Sequence, residues 1–388
     1  YLDGLAFLVA LLASGVGVLV FTYSGGYMHG EPGQAKYYTT LLVFMGAMLG
    51  VALAADLVAL FVFWELTSVS SFVLIGHYQR EDSSLYASRK SMLITVAGGL
   101  FMLVGFLFLH LVSPDALGSA SFALFGYGDT PGLVENAGAV REALSAAGLL
   151  LPVVALVGIG AATKSAQVPF HFWLPNAMEA PTPVSAFLHS ATMVKAGVYL
   201  VGRFRPLFVP EEAYLAEFWT PLFVALGLLT MTVAAMLAVS ATDIKELLAY
   251  STASHLGLIV AGFGFAVSYG GEAGAFHVLN HASFKAALFL VAGIVAHEAG
   301  TRRIEALSGL RNDLPITAAV ATVACLSMAG IPPFNGFFSK ELLFEAAWET
   351  GAQFGGLWYL VPAVAVFGSV FTFLYSIKFL SLFYGDRP

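Results

Sequence analysis

Long apolar runs, separated by short polar connections, follow one another along almost the whole chain. A helix needs about 20 mostly apolar residues to cross the ~30 Å hydrocarbon core of a bilayer. The pattern predicts eleven membrane-spanning helices, near residues 4–23, 38–55, 57–76, 89–112, 148–166, 183–204, 218–240, 246–267, 272–297, 315–345 and 357–384. The one long connection, 113–147, is expected to be a surface excursion. The chain is therefore predicted to be an all-α polytopic membrane protein.

The composition agrees with a protein that is dissolved in lipid. Only 11% of the 388 residues are charged and 59% are hydrophobic, whereas soluble domains have about 25% charged residues. We expect a single transmembrane domain over 1–388, and an excerpt of a longer chain. Neither a cysteine cluster, a Gly-rich phosphate loop nor a dinucleotide fingerprint occurs, and Cys325 stands alone. We therefore expect no catalytic residue, no cofactor, no metal and no nucleic acid, and interpret the chain as a transporter rather than an enzyme.

The positive charges are distributed unevenly between the connections. Arg80, Arg89 and Lys90 follow the third span, and Arg302, Arg303 and Arg311 follow the ninth. The alternate connections have fewer, chiefly Arg141, Arg203 and Arg205. Because cytoplasmic loops are enriched in Lys and Arg, the connections near 77–90 and 298–314 are predicted to face the cytoplasm.

Glu65 is an ionisable residue deep in an apolar span. If Asp56 caps the helix, Glu65 lies nine residues further on, or roughly 13 Å at 1.5 Å per residue. This depth is close to the middle of the bilayer, where an ionisable side chain is costly and is by default a functional hypothesis. The alternative is a carboxylic acid that burial keeps neutral, or one that is hydrogen-bonded to a neighbouring helix.

Lys164 ends an apolar run just ahead of four prolines, Pro169, Pro175, Pro181 and Pro183. Proline breaks helices, and broken helices occur in membranes only where they are buried or line a cavity. A lysine at such a break is a candidate ion site. The alternative is a lysine at a plain helix end that extends its ammonium towards water.

His277, His281 and Lys285 are spaced by four residues and therefore share one stripe of a predicted helix. Histidine titrates near neutral pH and can pass a proton through either ring nitrogen, so the stripe is typical of a proton wire. One alternative is a polar stripe that holds helices together. A metal site at the two histidines is less favoured, because Lys285 would repel the cation.

Further ionisable residues lie inside predicted spans or at a second helix break. His189 and Lys195 lie in one span, and His255 lies about two turns into another. Lys340 and Glu341 follow the Gly/Pro interruption that begins at Gly330, and as adjacent residues they point ~100° apart. His189 is equally well interpreted as a core histidine with a hydrogen-bonded ring.

Asp243 and Lys245 have a simpler interpretation than the buried candidates. They fit a short connection followed by a helix start. Asp243 is therefore predicted to cap that helix, and Lys245 to be a solvated charge.

Four motifs together resemble the core of a known family of proton-translocating membrane subunits, found in respiratory complex I and in Mrp-type cation/proton antiporters. They are TKSAQVPFHFWLPNAMEAPTPVSAFLHSATMVKAG, DIKELLAYSTASHLG, HVLNHASFKAALFL and GIPPFNGFFSKELL. Within this family the segments FWELTSVSSFVLIG, RKSMLITVAGG and SMAGIPPFNGFFSKE are most similar to the A subunit of Mrp-type antiporters.

The resemblance implies a fourteen-helix fold made of two inverted five-helix repeats, each with a broken helix. The repeats would cover about 38–204 and 218–384, and the first two helices and at least the last would be missing. Glu65 would correspond to the family's helix-five glutamate and Lys164 to its helix-seven lysine. The helix-eleven relay and the exit pair would be formed by His277, His281, Lys285, Lys340 and Glu341.

The implied function is that of a proton-translocating subunit of a multisubunit Na+/H+ antiporter in a prokaryotic cell membrane. It would act with other membrane subunits. The implied proton pathway is Glu65, Lys164, His189, Lys195, His255, His277, His281, Lys285, Lys340 and Glu341. Pairing of Glu65 with Lys164 would hold a proton on the lysine, and separation would release it. The sequence does not identify the sodium site.

Two other functions remain open at this point. The same proton channel could serve a redox-driven complex, either complex I or a membrane-bound hydrogenase. Alternatively, the chain could be a helical scaffold whose polar residues only hold helices together.

Overall fold

The computed structural model describes residues 1–210 and 218–385, and these ranges are almost entirely helical. They contain fourteen α-helices and no β-strand. The helices are α1 (Gly4–Tyr27), α2 (Gln34–Leu53), α3 (Leu57–Ile75), α4 (Asp82–Leu117), α5 (Ala137–Ala146), α6 (Leu150–Lys164), α7 (Thr182–Ser190), α8 (Met193–Phe208), α9 (Trp219–Ser240), α10 (Ile244–Gly264), α11 (Gly270–Ala299), α12 (Pro315–Ala329), α13 (Asn335–Phe354) and α14 (Leu360–Tyr384). The all-α polytopic architecture expected from the sequence is confirmed.

Within the described residues, nine helical segments are long and apolar enough to cross a membrane, when α7 and α8 are taken as one span. The count is ten if α5 and α6, which meet at a bend of 112°, are one span. Besides 183–204, which consists of α7 and α8, two of the eleven predicted spans are not single helices of spanning length. The first, 148–166, is the fifteen-residue α6, and the second, 315–345, is divided into α12 and α13. Both interruptions fall at the Pro-rich breaks that the sequence indicates.

The predicted surface excursion 113–147 is more ordered than its composition suggests. α4 continues to Leu117, and α5 forms within the same connection. Val140 and Leu144 of α5 are buried. The segment is therefore packed against the helices rather than extended over the surface.

Aspartates cap the starts of α3 and α10, as the sequence predicts. Asp56 accepts hydrogen bonds from the main-chain N–H groups of Val58 and Ala59 at 2.8 and 3.1 Å. Asp243 accepts from Lys245 and Glu246 at 2.7 and 3.2 Å. Each cap satisfies main-chain donors that a helix start leaves without partners. Both caps define where α3 and α10 begin, and so how deep Glu65 and His255 lie.

The helices differ greatly in how much of their surface other helices cover. The most apolar window of Thr182–Phe208 is 100% buried and that of Ile244–Gly264 is 94% buried, against 33% for α1 and α14. α7, α8 and α10 therefore form the centre of the bundle, and α1 and α14 lie at its edge. Polar side chains on the central helices are shielded from lipid.

The connections that carry most positive charge lie together at one end of the bundle. Arg302 is 3.8 Å from Glu179 and 3.0 Å from Asp243, and the Ser83 hydroxyl is 3.2 Å from Glu179. We call this end, formed by connections 76–81, 165–181, 241–243 and 300–314, the basic face after its four arginines, which are accompanied by five acidic residues. Arg203 was expected in a loop at the other end but lies within α8, where it pairs with Asp3 at 2.5 Å.

The division into two repeats, 38–204 and 218–384, stays a prediction. The helix order is consistent with it, because the fourth span of each half is interrupted. The interruption follows α6 in the first half and separates α12 from α13 in the second.

Candidate functional site

The ammonium of Lys164 is held between α6 and α3. Lys164 is the last residue of α6 and is fully buried. Its Nζ donates to the main-chain oxygen of Trp64 at 3.1 Å and to the hydroxyl of Ser68 at 2.6 Å. The carboxyl of Glu65 interacts with the same Ser68 hydroxyl. In the described residues no ion pair joins Glu65 to Lys164, and the alternation between paired and separated states expected from the sequence stays a prediction. We call Lys164, Trp64, Glu65 and Ser68 the Lys164 pocket.

Two glycines of α4 close the Lys164 pocket. A Cβ atom at Gly99 would lie 1.8 Å from Oε1 of Glu65, and one at Gly98 would lie 1.8 Å from Oγ1 of Thr163. Real side chains cannot approach so closely, so α4 can pack here only because both positions lack a side chain. Oε1 of Glu65 is buried and has no hydrogen-bond partner among the described residues.

A row of buried hydroxyls on α4 runs from the basic face towards Glu65. Ser84, Ser88, Ser91 and Thr95 recur at helical spacing on the face of α4 that also carries Gly98 and Gly99. At the outer end, Ser84 donates to the main-chain oxygen of Ile75 at 3.0 Å. We call these four residues the hydroxyl seam. Such a row offers hydrogen bonds to water or to an ion between the basic face and the Lys164 pocket.

The predicted stripe on α11 exists, but its residues bond other helices rather than each other. Nδ1 of His281 is 2.5 Å from Nζ of Lys195 on α8. Nε2 of His277 is 2.9 Å from Nδ1 of His255 on α10, and its Nδ1 is 2.9 Å from the hydroxyl of Ser339 on α13. The rings of His255 and His281 lie 5.4 Å apart. Two sets of polar contacts, Lys195–His281 and His255–His277–Ser339, thus join four helices in the centre of the bundle, and a ring contact between His255 and His281 connects the two sets.

Lys285 has its own pocket on α10. It is fully buried, and its Nζ donates to the hydroxyl of Ser251 and, at 3.5 Å, to the main-chain oxygen of Leu248. We call these three residues the Lys285 pocket. No carboxylate lies within 4 Å of this ammonium in the described part of the chain.

Lys340 and Glu341 point in different directions, as their adjacency predicts. Lys340 is buried, and its Nζ donates at 3.2 Å to the main-chain oxygen of Ala329, the last residue of α12. Glu341 is exposed on α13. Both residues line a cavity of about 650 Å³, which Glu345 and Ser369 also line. The second helix break therefore joins a buried amine to an open acidic cavity.

His189 is buried at the end of α7, apart from the other candidates. Its ring lies 6.4 Å from that of Trp173 and 6.0 Å from that of Phe289. Within residues 1–210 and 218–385 neither ring nitrogen has a hydrogen-bond partner. Of the two interpretations that the sequence left open, a core histidine with a hydrogen-bonded ring is therefore wrong for the described residues.

Lys245 is buried, contrary to its interpretation as a solvated charge. Its Nζ donates to the main-chain oxygens of Met178 and Ala180 at 3.3 and 3.1 Å. These carbonyls belong to the irregular segment after α6, which Lys90 also holds through Asn176 at 2.7 Å. The pattern could not predict this, because the start of α10 is buried only through the packing of that segment.

The hydroxyl partners of the buried lysines and histidines were also missed. Ser68 lies three residues after Glu65 and Ser251 four residues before His255, so helical spacing places each on the face of a candidate. Ser339 directly precedes Lys340. The spacing of these serines from a buried ionisable residue of the same helix was the sequence signal that could have predicted them.

In the described part of the chain, no three His, Cys, Asp or Glu side chains are grouped as metal ligands would be. The ring nitrogens of His277 contact a serine and a histidine, and one of those of His281 contacts a lysine. These contacts favour proton exchange over metal ligation.

Two family models match the chain. The model described as "NADH:quinone oxidoreductase/Mrp antiporter, TM" matches residues 54–372, which include all ten candidate residues. The model described as "NADH-Ubiquinone oxidoreductase (complex I), chain 5 N-terminus" matches residues 1–38.

Curated relatives are named as the A1 subunit of a Na(+)/H(+) antiporter. The relative from Staphylococcus haemolyticus (strain JCSC1435) is 45% identical over 405 residues, which cover 100% of this chain and 48% of the relative. The relative from Staphylococcus aureus (strain bovine RF122 / ET3-1) is 44% identical over 404 residues, with the same coverage. The chain spans about half the length of these relatives.

Two solved structures share the fold. A chain of the Mrp complex from Dietzia sp. DQ12-45-1b is 38% identical with a TM-score of 0.85, over 98% of this chain and 39% of that one. A chain of the membrane-bound sulfane sulfur reductase, an archaeal respiratory membrane complex, is 27% identical with a TM-score of 0.83, over 98% and 72%. The family model covers most of the chain, and the resemblance first seen in its motifs is confirmed: this multi-pass membrane protein belongs to the NADH:quinone oxidoreductase/Mrp antiporter transmembrane family.

Proposed function

We propose that the chain is the proton-translocating part of a multisubunit Na+/H+ antiporter. The observation that carries this proposal is the buried chain of contacts from Lys195 through His281, His255 and His277 to Ser339. Ionisable side chains inside a membrane are costly and are retained where they move ions or protons. The curated name of the relatives, which describes part of a Na+/H+ antiporter, supports the same function.

The proton pathway begins at the basic face in this proposal. A proton would pass along the hydroxyl seam to Glu65 and Lys164. From there it would continue past His189 to Lys195, since Ser165, the residue after Lys164, bonds the main-chain oxygen of Val194 at 2.6 Å. This contact brings the end of α6 against the start of α8.

In the second half of the pathway, three histidines lie between two lysines over short distances. Imidazole can accept a proton at one nitrogen and release it from the other. Lys195 and His281 would exchange a proton directly, and His255, His277 and Lys285 would carry it on towards α13. Lys340 and Glu341 would then pass it to the cavity beside α14.

The partners follow from the relatives. These are named as subunits, and the Dietzia structure is that of a complex. We infer that this chain acts with other membrane subunits in a prokaryotic cell membrane, with Na+ and H+ as the transported ions. It would need no cofactor of its own.

The test is sodium-driven proton movement in inverted membrane vesicles that contain the whole complex, without NADH or another reductant. Sodium should collapse a preset pH gradient, and Glu65→Ala and Lys164→Ala should abolish this response although the complex assembles. Lys36→Ala, at an exposed lysine of α2, is the matched control and should behave as the wild type. An unaltered response in both pathway variants would disprove the pathway.

A second candidate function is a proton channel in a redox-driven complex. The similarity to the archaeal respiratory complex favours it. In the same vesicles, this function predicts that sodium alone has no effect and that oxidation of a reductant drives proton pumping. That result would replace the antiporter proposal.

A further inference from the structure

We propose that the oxygen atoms that hold the Lys164 ammonium also form a Na+ site, which the ammonium and Na+ occupy alternately. The proposal rests on the proposed Na+/H+ antiport and gives a location to the ion that the sequence leaves without one.

The ligand set around the ammonium consists of oxygen atoms. Nζ of Lys164 is 3.1 Å from the Trp64 carbonyl oxygen and 2.6 Å from the Ser68 hydroxyl, beside the Glu65 carboxyl. Carboxylate, carbonyl and hydroxyl oxygens are the ligands that hard cations prefer, whereas a site with nitrogen or sulfur ligands would favour transition metals. The Lys164 ammonium, a cation attached to the chain, therefore already occupies oxygen atoms that are suited to a free Na+ ion.

The Glu65 carboxyl supplies the negative charge that a bare cation needs in a membrane. Its Oε1 is buried and has no hydrogen-bond partner among the described residues. A buried polar oxygen is nearly always bonded in proteins. This oxygen therefore points to a ligand that the described residues do not supply.

The packing allows one cation at a time. The pocket is bounded by Gly99, where even a Cβ would lie 1.8 Å from Oε1 of Glu65, and by the Trp64 ring 5.2 Å from Nζ of Lys164. One carboxylate can compensate one positive charge, and a second cation a few ångströms away would be repelled strongly in this environment. Sodium can therefore bind only when Lys164 has lost its proton or moved away. Protonation of Lys164 in turn expels sodium.

The Lys285 pocket shows why the Na+ site is assigned to the Lys164 pocket and not to every buried lysine. Its ammonium also contacts a serine hydroxyl and a main-chain oxygen, those of Ser251 and Leu248. In the described residues it has no carboxylate within 4 Å, and a bare Na+ there would lack a counter-charge. Exchange of cations is therefore assigned to the Lys164 pocket alone.

The hydroxyl seam provides the route of entry. It leads from the basic face to Gly98 and to Gly99, which lies against Glu65, and the Ser91 hydroxyl is buried without a partner among the described residues. Hydroxyl oxygens can replace part of the water shell of a sodium ion during entry.

The experiment measures equilibrium binding of radioactive sodium to the purified, assembled complex at neutral and at alkaline pH. Binding needs no transport, so slow variants remain informative. Wild-type binding should weaken as the pH falls, because protons compete through Lys164. Ser68→Ala should weaken binding by about fivefold or more, the effect of losing roughly one oxygen contact, and Ser68→Thr should restore it.

Two further variants separate this site from other effects. Lys164→Gln removes the competing cation, and its sodium binding should no longer depend on pH in this range. Ser70→Ala is the matched control, because Ser70 lies on the same helix and bonds only carbonyls of α3, with Leu66 at 2.6 Å. It should bind sodium as the wild type does.

Unchanged sodium affinity in Ser68→Ala, or wild-type pH dependence in Lys164→Gln, would overturn the site. Either result could occur while sodium still drives proton movement in vesicles, which would leave the proposed antiport intact. Loss of the sodium response in wild-type vesicles would instead overturn the proposed function.

Discussion

The Lys164 and Lys285 pockets are built alike and differ in one charge. Each ammonium is fully buried and donates to a serine hydroxyl and a main-chain oxygen of one helix, α3 or α10. Both of these helices begin at an aspartate cap. Among the described residues, only the first pocket has a carboxyl group beside the ammonium, that of Glu65.

This difference indicates different tasks for two similar lysines. A cation is stable in a dry site only when an opposite charge is near. The Lys164 pocket can therefore keep a cation, whereas the Lys285 pocket favours an amine that gives its proton to a neighbour. The same arrangement of oxygens would hold a cation in the Lys164 pocket and would pass a proton onward in the Lys285 pocket.

The largest expected effect comes from Glu65→Gln, which makes the Lys164 pocket as neutral as the Lys285 pocket. We expect sodium-driven proton movement in vesicles to fall by about 10²-fold or more, the contribution typical of a proton-transferring group. Glu272→Gln, at an exposed acid of α11, should have no such effect. Activity near the wild-type level in Glu65→Gln would mean that the charge difference between the pockets has no functional role.

Gly99→Ala tests whether the close packing of the Lys164 pocket is needed. The added Cβ would lie 1.8 Å from Oε1 of Glu65, and overpacking of this kind costs about 1–3 kcal/mol. Thermal unfolding of the complex should therefore occur at a lower temperature. At Gly46 of α2 nothing lies within 4 Å of such a Cβ, so Gly46→Ala should be neutral. Equal melting temperatures for the two variants would contradict the closed pocket.

Ser251→Ala tests the same comparison by altering the Lys285 pocket. Lys285 would lose its closest partner without a carboxylate to replace it, at a cost of about 1–3 kcal/mol. Proton movement at saturating sodium should fall by roughly five- to thirtyfold, and by less in Ser68→Ala, because Glu65 remains beside Lys164. Ser283, which is exposed and bonds Leu279 of its own helix at 3.0 Å, provides the control Ser283→Ala. A larger loss in Ser68→Ala than in Ser251→Ala would reverse the assignment of tasks.

The smallest effect concerns His77, on the basic face beside the outer end of the hydroxyl seam. Burial, and then the positive charge of Lys36, lower the pKa of His77 below its ordinary value of 6.5. The unfolded chain therefore gains a proton at mildly acidic pH that the folded chain does not take up, and stability decreases as the pH falls through this range. In His77→Gln, the melting temperature of the complex should decrease slightly less between neutral and mildly acidic pH. An identical decrease in melting temperature in both proteins would show that His77 does not contribute to the pH dependence of stability.

Much of the fold could be predicted from the sequence because its signals are local. The apolar runs indicate the spans, the prolines after Lys164 and around Gly330 indicate the breaks, and Asp56 and Asp243 indicate helix starts. Positions on one helix were also predictable, as the shared face of His277, His281 and Lys285 demonstrates.

Contacts between helices could not be predicted in this way. The stripe on α11 suggested transfer along one helix, but His281 contacts α8 and Lys285 contacts α10. The burial of Lys245 depends on an irregular segment about 70 residues earlier in the chain. The placement of Ser68 in contact with both Lys164 and Glu65 likewise depends on how α6 meets α3, which local spacing does not encode.

The outward contacts of α11 have a mechanical consequence. Its three buried ionisable side chains, His277, His281 and Lys285, contact α8, α10 and α13. Asn280 is joined to Asn335 at the start of α13 by two hydrogen bonds of 2.9 Å. A rotation of α11 by one residue, ~100° about its axis, would separate all of these contacts at the same moment. Proton transfer through all of these contacts would then start or stop together, not one contact at a time. A neighbouring protein that pressed on the exposed side of this single helix would control both halves of the molecule at once.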